Sequence, residues 1–177
     1  TYLGGDGRDV LTDLAVDYSG AVYVVGVSNS LNFPMVSPIL ATFDDPLPTG
    51  FPDFEPFDIV LAKFTDRLTS LAFSTYFGGS TPESCPGPFV VLGCPPSLAV
   101  DAEGAMHVVG TTSSTDFSTD DFPILSAVQG TFGGGKRIPL FDELPRDASA
   151  FTIAPRGVVE GRGTRITHGR EFSSIVA

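Results

Sequence analysis

Positive charge is scarce in this chain. Ten Lys and Arg stand against 21 Asp and Glu among 177 residues, a formal net charge of −11. An acidic body repels a phosphate backbone, which argues against a nucleic-acid partner. The cations that exist gather late: residues 156–177 hold four arginines against two glutamates, and residues 1–155 hold six cations against nineteen acids. Charged residues make up 18% of the chain, below the ~25% of an average domain, and the acidity reads as a means of staying soluble. No apolar run approaches the ~20 residues of a membrane span, so no membrane insertion is expected. Cysteines and histidines number two each. Zinc sites ordinarily take four ligands, and no histidine lies near the cysteines in sequence. Neither His107 nor His168 has a nucleophile and an acid beside it, so a Ser-His-Asp site has no support.

What the chain does contain is sheet and turn material. Hydrophobic residues are 42%, with 20 Gly, 15 Pro and 15 Phe. Val, Phe, Thr and Tyr dominate the apolar stretches and suit pleated sheet. Glycine without a G-x-y period excludes a collagen-like chain. The length is ample for one hydrophobic core.

Self-comparison organises the rest. "TYLGG" at residues 1–5 returns as "TYFGG" at residues 75–79. "LAVDYSGAVYVVGVSNS" (residues 14–30) returns as "LAVDAEGAMHVVGTTSS" (residues 98–114), an ungapped offset of 84. "FPMVSPILATF" (33–43) resembles "FPILSAVQGTF" (122–132), and "DIVLAKFTDRL" (58–68) more weakly resembles "DASAFTIAPRG" (147–157), both at an offset of 89. Asp17 and Gly20, and again Asp101 and Gly104, bound a four-residue turn of type I chemistry between two short apolar strands, which predicts a hairpin. In the first hairpin Val22, Val24 and Gly26 share one face and Tyr23 and Val25 the other. Residues 59–64 and 72–77 add a third and a fourth strand. The expected fold is all-β, built of propeller blades of four antiparallel strands, about two blades in all.

In combination, "TYLGG…LAVDYSGAVYVVG…NFP…DIVLAKF" resembles the bacterial SBBP repeat, a family of seven-bladed β-propeller repeats, over residues 1–155. That resemblance implies a toroid of blades in large secreted or cell-surface bacterial proteins, and it carries over no catalytic residue. The expected divisions are residues 1–5 as the last strand of a preceding blade, 14–79 as the first blade, 80–97 as an insertion, 98–157 as the second blade, and 158–177 as an atypical basic tail or last strand. Two blades cannot close a ring of about four to eight, so the chain reads as a fragment of a larger propeller whose further blades are its first partners.

The repeats differ mainly in their insertions. Eight residues separate Gly5 from Leu14, and eighteen separate Gly79 from Leu98. Cys85 and Cys94 both fall in the longer segment and are candidates for a local disulfide in an oxidising compartment, two free thiols being the alternative. Pro-rich insertions at 44–56 and 133–145 carry Phe51, Phe54 and Phe141. Repeat-specific insertions tend to gather on one face, so these rings are candidate contacts for a sugar or a partner surface, packing under their own loop being the bland alternative. "GTFGGGKR" (130–137) has the spacing of a phosphate loop, but Arg137 stands where Ser or Thr would bind Mg²⁺, and no helix follows. The acidic clusters at 43–45 and 119–122 lack EF-hand spacing and read as solvated turns.

No cofactor is expected. The functional expectation is a non-enzymatic scaffold or binding surface for a glycan or protein, extracellular or at the cell surface. The alternative is a propeller-type extracellular lyase or hydrolase fragment.

Overall fold

The computed structural model describes residues 1–43, 56–79, 83, 95–112, 147–153 and 159–161, the last two segments by backbone alone. Eight strands form two four-stranded antiparallel sheets, each in sequential order. The first sheet comprises β1 (Asp9–Val16), β2 (Val22–Ser28), β3 (Asp58–Phe64) and β4 (Leu71–Phe77), with a 3-10 turn at Asp66–Leu68 between the last two. The second comprises β5 (Ser97–Val100), β6 (Met106–Thr112), β7 (Asp147–Ile153) and β8 (Val159–Gly161). The chain is therefore all-β, with two repeats of one four-strand meander.

Register follows from the alternation in sequence. Tyr23, Val25 and Val27 of β2 pair with Lys63, Leu61 and Ile59 of β3, and Ile59 pairs on with Phe77 of β4. Directly paired residues share a face, so these side chains make one side of the sheet, here called its front. Val22, Val24, Val60, Ala62, Phe64 and Tyr76 make the back. The second sheet lies against the front of the first. Tyr23, Val25, Ile59, Leu61 and Phe77, each fully buried, pack with Met106 and Val108 of the second sheet, and Leu98 and Val100 join from its first strand. Each such side chain removed from water contributes ~1.5–3 kcal/mol. Two hydrogen bonds tie the first strands together: Thr12 Oγ1 donates to the Pro96 carbonyl (2.7 Å), and the Leu98 amide donates to Asp13 Oδ2 (3.0 Å).

Two features differ from the sequence expectation. The first strand starts at Asp9 rather than Leu14, because Val10 and Asp9 continue the ladder opposite Val27 and Ser28 beyond a bulge between Leu11 and Asp13. Gly26 faces that bulge, where a Cβ would run into the Val10 carbonyl and sit 2.7 Å from Leu11 Cα. Residues 1–5, expected as a last strand, belong to no strand of the structure. Leu3 nonetheless packs on the back of the first sheet against Val24, Ala62 and Phe64, and against the neighbouring cluster of Phe33, Val60 and Tyr76. In the last repeat, Val159–Gly161 takes the fourth-strand place, pairing with Ile153, Thr152 and Phe151, which is the last-strand alternative expected of residues 158–177.

The outer edge of the first sheet is not open. Residues 33–43 run along β4, with bridges Val36 to Ser74 and Leu40 to Tyr76. Ser74 Oγ donates to the Pro34 carbonyl (2.6 Å), and Thr75 Oγ1 accepts the amides of Ile39 and Leu40 (3.0 Å each). The Tyr76 hydroxyl donates to the Ser30 carbonyl, while its ring sits 6.1 Å from those of Phe33 and Phe43. The recurrent Thr-Tyr pair thus fastens the Phe-Pro segment over a strand edge that would otherwise invite aggregation.

Candidate functional site

Two recurring carboxylate arrangements concentrate the polar chemistry of the described residues. The first closes each β-hairpin. Gly20 donates its amide to the Asp17 carbonyl (3.0 Å) and Gly104 to that of Asp101 (3.1 Å). Both glycines are left-handed, with φ of 85° and 83°, which suits residues lacking a Cβ. Asp17 Oδ1 accepts the amides of Ser19 (2.9 Å) and Ala21 (3.0 Å) and the Ser19 hydroxyl (2.6 Å). Asp17 Oδ2 accepts the Tyr23 hydroxyl (2.9 Å). Asp101 Oδ1 likewise accepts the amides of Glu103 and Ala105 (3.1 and 2.8 Å), and its Oδ2 meets His107 Nε2 at 3.0 Å. His107 therefore stands where Tyr23 stands, on the same carboxylate.

Hydrogen bonds set the electrostatics. The Ser19 hydroxyl, more than the Tyr23 hydroxyl and the backbone amides, holds the Asp17 carboxyl down to about 2. The Asp101 carboxyl is lowered as well, first by His107 and then by the Ala105 amide. Burial raises the Tyr23 phenol, which lies under Lys63 Nζ, 4.6 Å from the ring centre. Burial also raises the Tyr76 phenol.

The second arrangement follows each Gly-Gly, and sequence reading missed it. Asp9 Oδ2 accepts the Gly5 amide (2.8 Å), and Asp9 also accepts the hydroxyls of Ser28 and Ser30. Glu83 Oε2 accepts the Gly79 amide (3.2 Å), and its Oε1 accepts the Thr112 hydroxyl (2.8 Å). Ser28 and Thr112 both end the second strand of their sheet, 84 positions apart. In both repeats an acid four residues beyond the second glycine clasps the glycine corner to the next hairpin. The glycines serve this clasp through their size: a Cβ on Gly4 would lie 2.7 Å from Asp9 Oδ2, and one on Gly78 would collide with Glu83 and sit 2.6 Å from Asp58 Oδ1. Asp58 and Glu83 are both buried. The signal available in sequence was the equal spacing of "GGDGRD" and "GGSTPE", hidden because the acids differ and the second segment leads into an insertion.

These arrangements bind backbone. Asp17, Gly20, Asp101 and Gly104 build turns, and Asp9 and Glu83 lock corners. Among the described residues no group of three or more His, Cys, Asp or Glu is arranged to hold a metal ion, and no helix is long and apolar enough to cross a membrane. The candidate contacts Phe51, Phe54 and Phe141 and the candidate disulfide Cys85 and Cys94 lie outside the described residues.

The hairpin with its Asp-to-Gly turn, preceded by the clasped glycine pair, falls within a segment that a family description recognises. Residues 1–34 match the SBBP β-propeller repeat. That segment is similar to one SBBP repeat. A search of curated proteins returns no match. The matched segment takes in the first SBBP glycine corner, the acid that clasps it, the first hairpin and the start of the Phe-Pro segment. By the internal repeat, the same turn and hairpin recur in the second sheet.

Proposed function

We propose that this chain is a non-enzymatic module of a secreted or cell-surface bacterial protein. Its blades are scaffold, and its inserted loops present a binding surface to a glycan or a protein. One observation carries this reading: Asp9, Asp17, Glu83 and Asp101 all accept backbone amides. A general acid or base must reach a substrate atom, and carboxylates tied into turns and corners are committed to holding the chain. Recognition then falls to the insertions at 44–56, 80–97 and 133–145, where Phe51, Phe54 and Phe141 supply flat apolar surface suited to sugar rings or a protein partner. A disulfide between Cys85 and Cys94 fits an oxidising compartment and would stiffen the longest insertion.

Glycan-array binding of the purified chain, repeated with F51A/F54A/F141A, tests the reading. Loss of a bound glycan class in the variant, at unchanged thermal unfolding, supports it. Binding indifferent to the three rings removes the loops from the proposal, and turnover of an arrayed polysaccharide replaces it with the lyase or hydrolase alternative. Thiol titration of secreted, unreduced protein tests the compartment: no titratable thiol is expected, and two would remove the disulfide.

A further inference from the structure

The corner after the first glycine pair is held by side-chain oxygens. Four consecutive amides each donate to one: Gly5 to Asp9 Oδ2 (2.8 Å), Asp6 to Asn32 Oδ1 (2.7 Å), Gly7 to Ser30 Oγ (2.9 Å) and Arg8 to Asn29 Oδ1 (2.7 Å). The Arg8 carbonyl accepts the Asn29 amide in return (3.2 Å). The backbone of this corner must therefore come close to residues 29–32. A Cβ on Gly7 would lie 2.6 Å from Asn29 Oδ1 and 2.8 Å from the Ser30 nitrogen, so the packing requires glycine there. Asp6 has no such reason to be aspartate. It is exposed, and its carboxylate accepts no hydrogen bond among the described residues. Asp6–Gly7 is also the single place in the chain where Asp or Asn precedes Gly, and the corresponding pair after the second glycine pair is Ser80–Thr81. An aspartate before glycine is open to a reaction of its own. No side chain on the glycine obstructs its amide nitrogen, which can attack the aspartate Cγ. A C–N bond forms and closes a five-membered succinimide, and the amide proton leaves with the carboxyl hydroxyl as water. Water then opens the ring at either carbonyl. Opening at the main-chain carbonyl leaves an isoaspartyl linkage, in which the chain runs through the side-chain carbon and the former main-chain carbonyl is a free carboxylate. Water is lost and regained, so mass and oxidation state do not change and no co-reactant is needed.

We propose that Asp6–Gly7 is a self-modification site, an aspartate isomerisation gated by the corner that encloses it. The succinimide nitrogen carries no hydrogen, so ring closure has to break the bond from the Gly7 amide to Ser30 Oγ. Ser30 is fully buried and its hydroxyl is tied in turn to Asp9, so that acceptor is fixed. The closed corner therefore holds the reaction back, and its open form reacts. The isoaspartyl product adds one methylene to the backbone between the Asp6 and Gly7 amides. Four amides spaced to meet four fixed oxygens then no longer match them all, and the corner does not reclose. The reaction thus turns a reversible local opening into a lasting one, beside the Asp9 clasp. The inference is independent of what the inserted loops bind.

Peptide mapping with electron-transfer fragmentation, which tells the two linkages apart at equal mass, follows Asp6 through weeks of incubation at neutral pH. Isoaspartate is expected to form at least about tenfold more slowly in the folded chain than in the same chain kept in guanidinium chloride, since the rate scales with the population of the open corner. Asn32→Ala removes the partner of the Asp6 amide at an exposed position, where the fold survives, and is expected to raise the folded rate severalfold. Ser30→Ala removes the partner of the reacting amide itself and is expected to raise it further. Asp6→Ala abolishes the reaction and, because the Asp6 carboxylate holds nothing in place, is expected to keep the urea midpoint of fresh wild type. Aged wild type is expected to unfold at lower urea than fresh wild type, and aged Asp6→Ala at the same urea as fresh. No isoaspartate at Asp6 in the unfolded chain overturns the site. Equal rates in the folded and unfolded chains, or a folded rate indifferent to both Asn32→Ala and Ser30→Ala, overturn the gating. A converted fraction that unfolds at the fresh midpoint overturns the lasting opening.

Discussion

At the scale of single residues, the two hairpin turns are one device with two different caps. Asp17 gathers two amides, a serine hydroxyl and a tyrosine hydroxyl, and its folded pKa falls to about 2 from 3.8. A carboxyl lowered on folding stabilises the fold above its unfolded pKa, and that stabilisation is lost as pH falls from 3.8 towards 2. Asp17→Asn is therefore expected to lower the urea midpoint at neutral pH, with the gap to the wild type closing as the pH falls through that window. Equal midpoints at neutral pH would show that the charge contributes nothing. The order of causes is testable as well. Carboxyl titration by NMR is expected to show Ser19→Ala raising the Asp17 pKa more than Tyr23→Phe does, because the Ser19 bond is the stronger influence. The reverse order would make the buried phenol the principal partner.

Elements were legible where a local rule sets them. The alternation of Val22 to Val27 and the Asp-to-Gly turns gave the hairpins and their faces. The clasp was not legible, because it is made by side chains reaching backbone across a corner, and Asp9 and Glu83 share spacing without sharing identity. Nor could alternation reveal that β1 runs five residues further towards the N-terminus, since the bulge between Leu11 and Asp13 switches which side chains face inwards. The role of Thr75 and Tyr76 was invisible for a similar reason: their partners, Ile39, Leu40 and Ser30, lie 35 to 46 residues away. The bulge also makes a prediction about β2. Gly26 leaves room for the displaced Val10 carbonyl, so Gly26→Ala has to push two strands apart and is expected to cost about 1–3 kcal/mol in chemical unfolding. A cost near zero would mean that the bulge relaxes without resistance.

For the whole molecule, the decisive relation is between neighbouring blades. Phe77 of "TYFGG" is fully buried between the two sheets. Leu3 holds the equivalent place in "TYLGG" and packs on the back of the first sheet, although residues 1–5 form no strand. The clasp repeats the relation, since Asp9 joins the first glycine corner to β2 just as Glu83 joins the second to β6. Leu3 thus packs on the face of the first sheet opposite the one that Phe77 lines. Leu3 is only half-buried, so Leu3→Ala is expected to cost about 1–2 kcal/mol, less than the ~3–5 kcal/mol expected of Phe77→Ala, where an entire ring leaves a closed core. Both are read from urea unfolding at neutral pH. Should Leu3→Ala cost nothing while Phe77→Ala unfolds the chain, the N-terminal segment would only rest on the sheet, and the glycine clasp alone would hold it there. Should both cost what their burial implies, the packing of Leu3 holds the N-terminal segment on the sheet without a strand ladder. The two faces of the first sheet would then be held by side chains at one repeat position, the third residue of "TYLGG" and of "TYFGG".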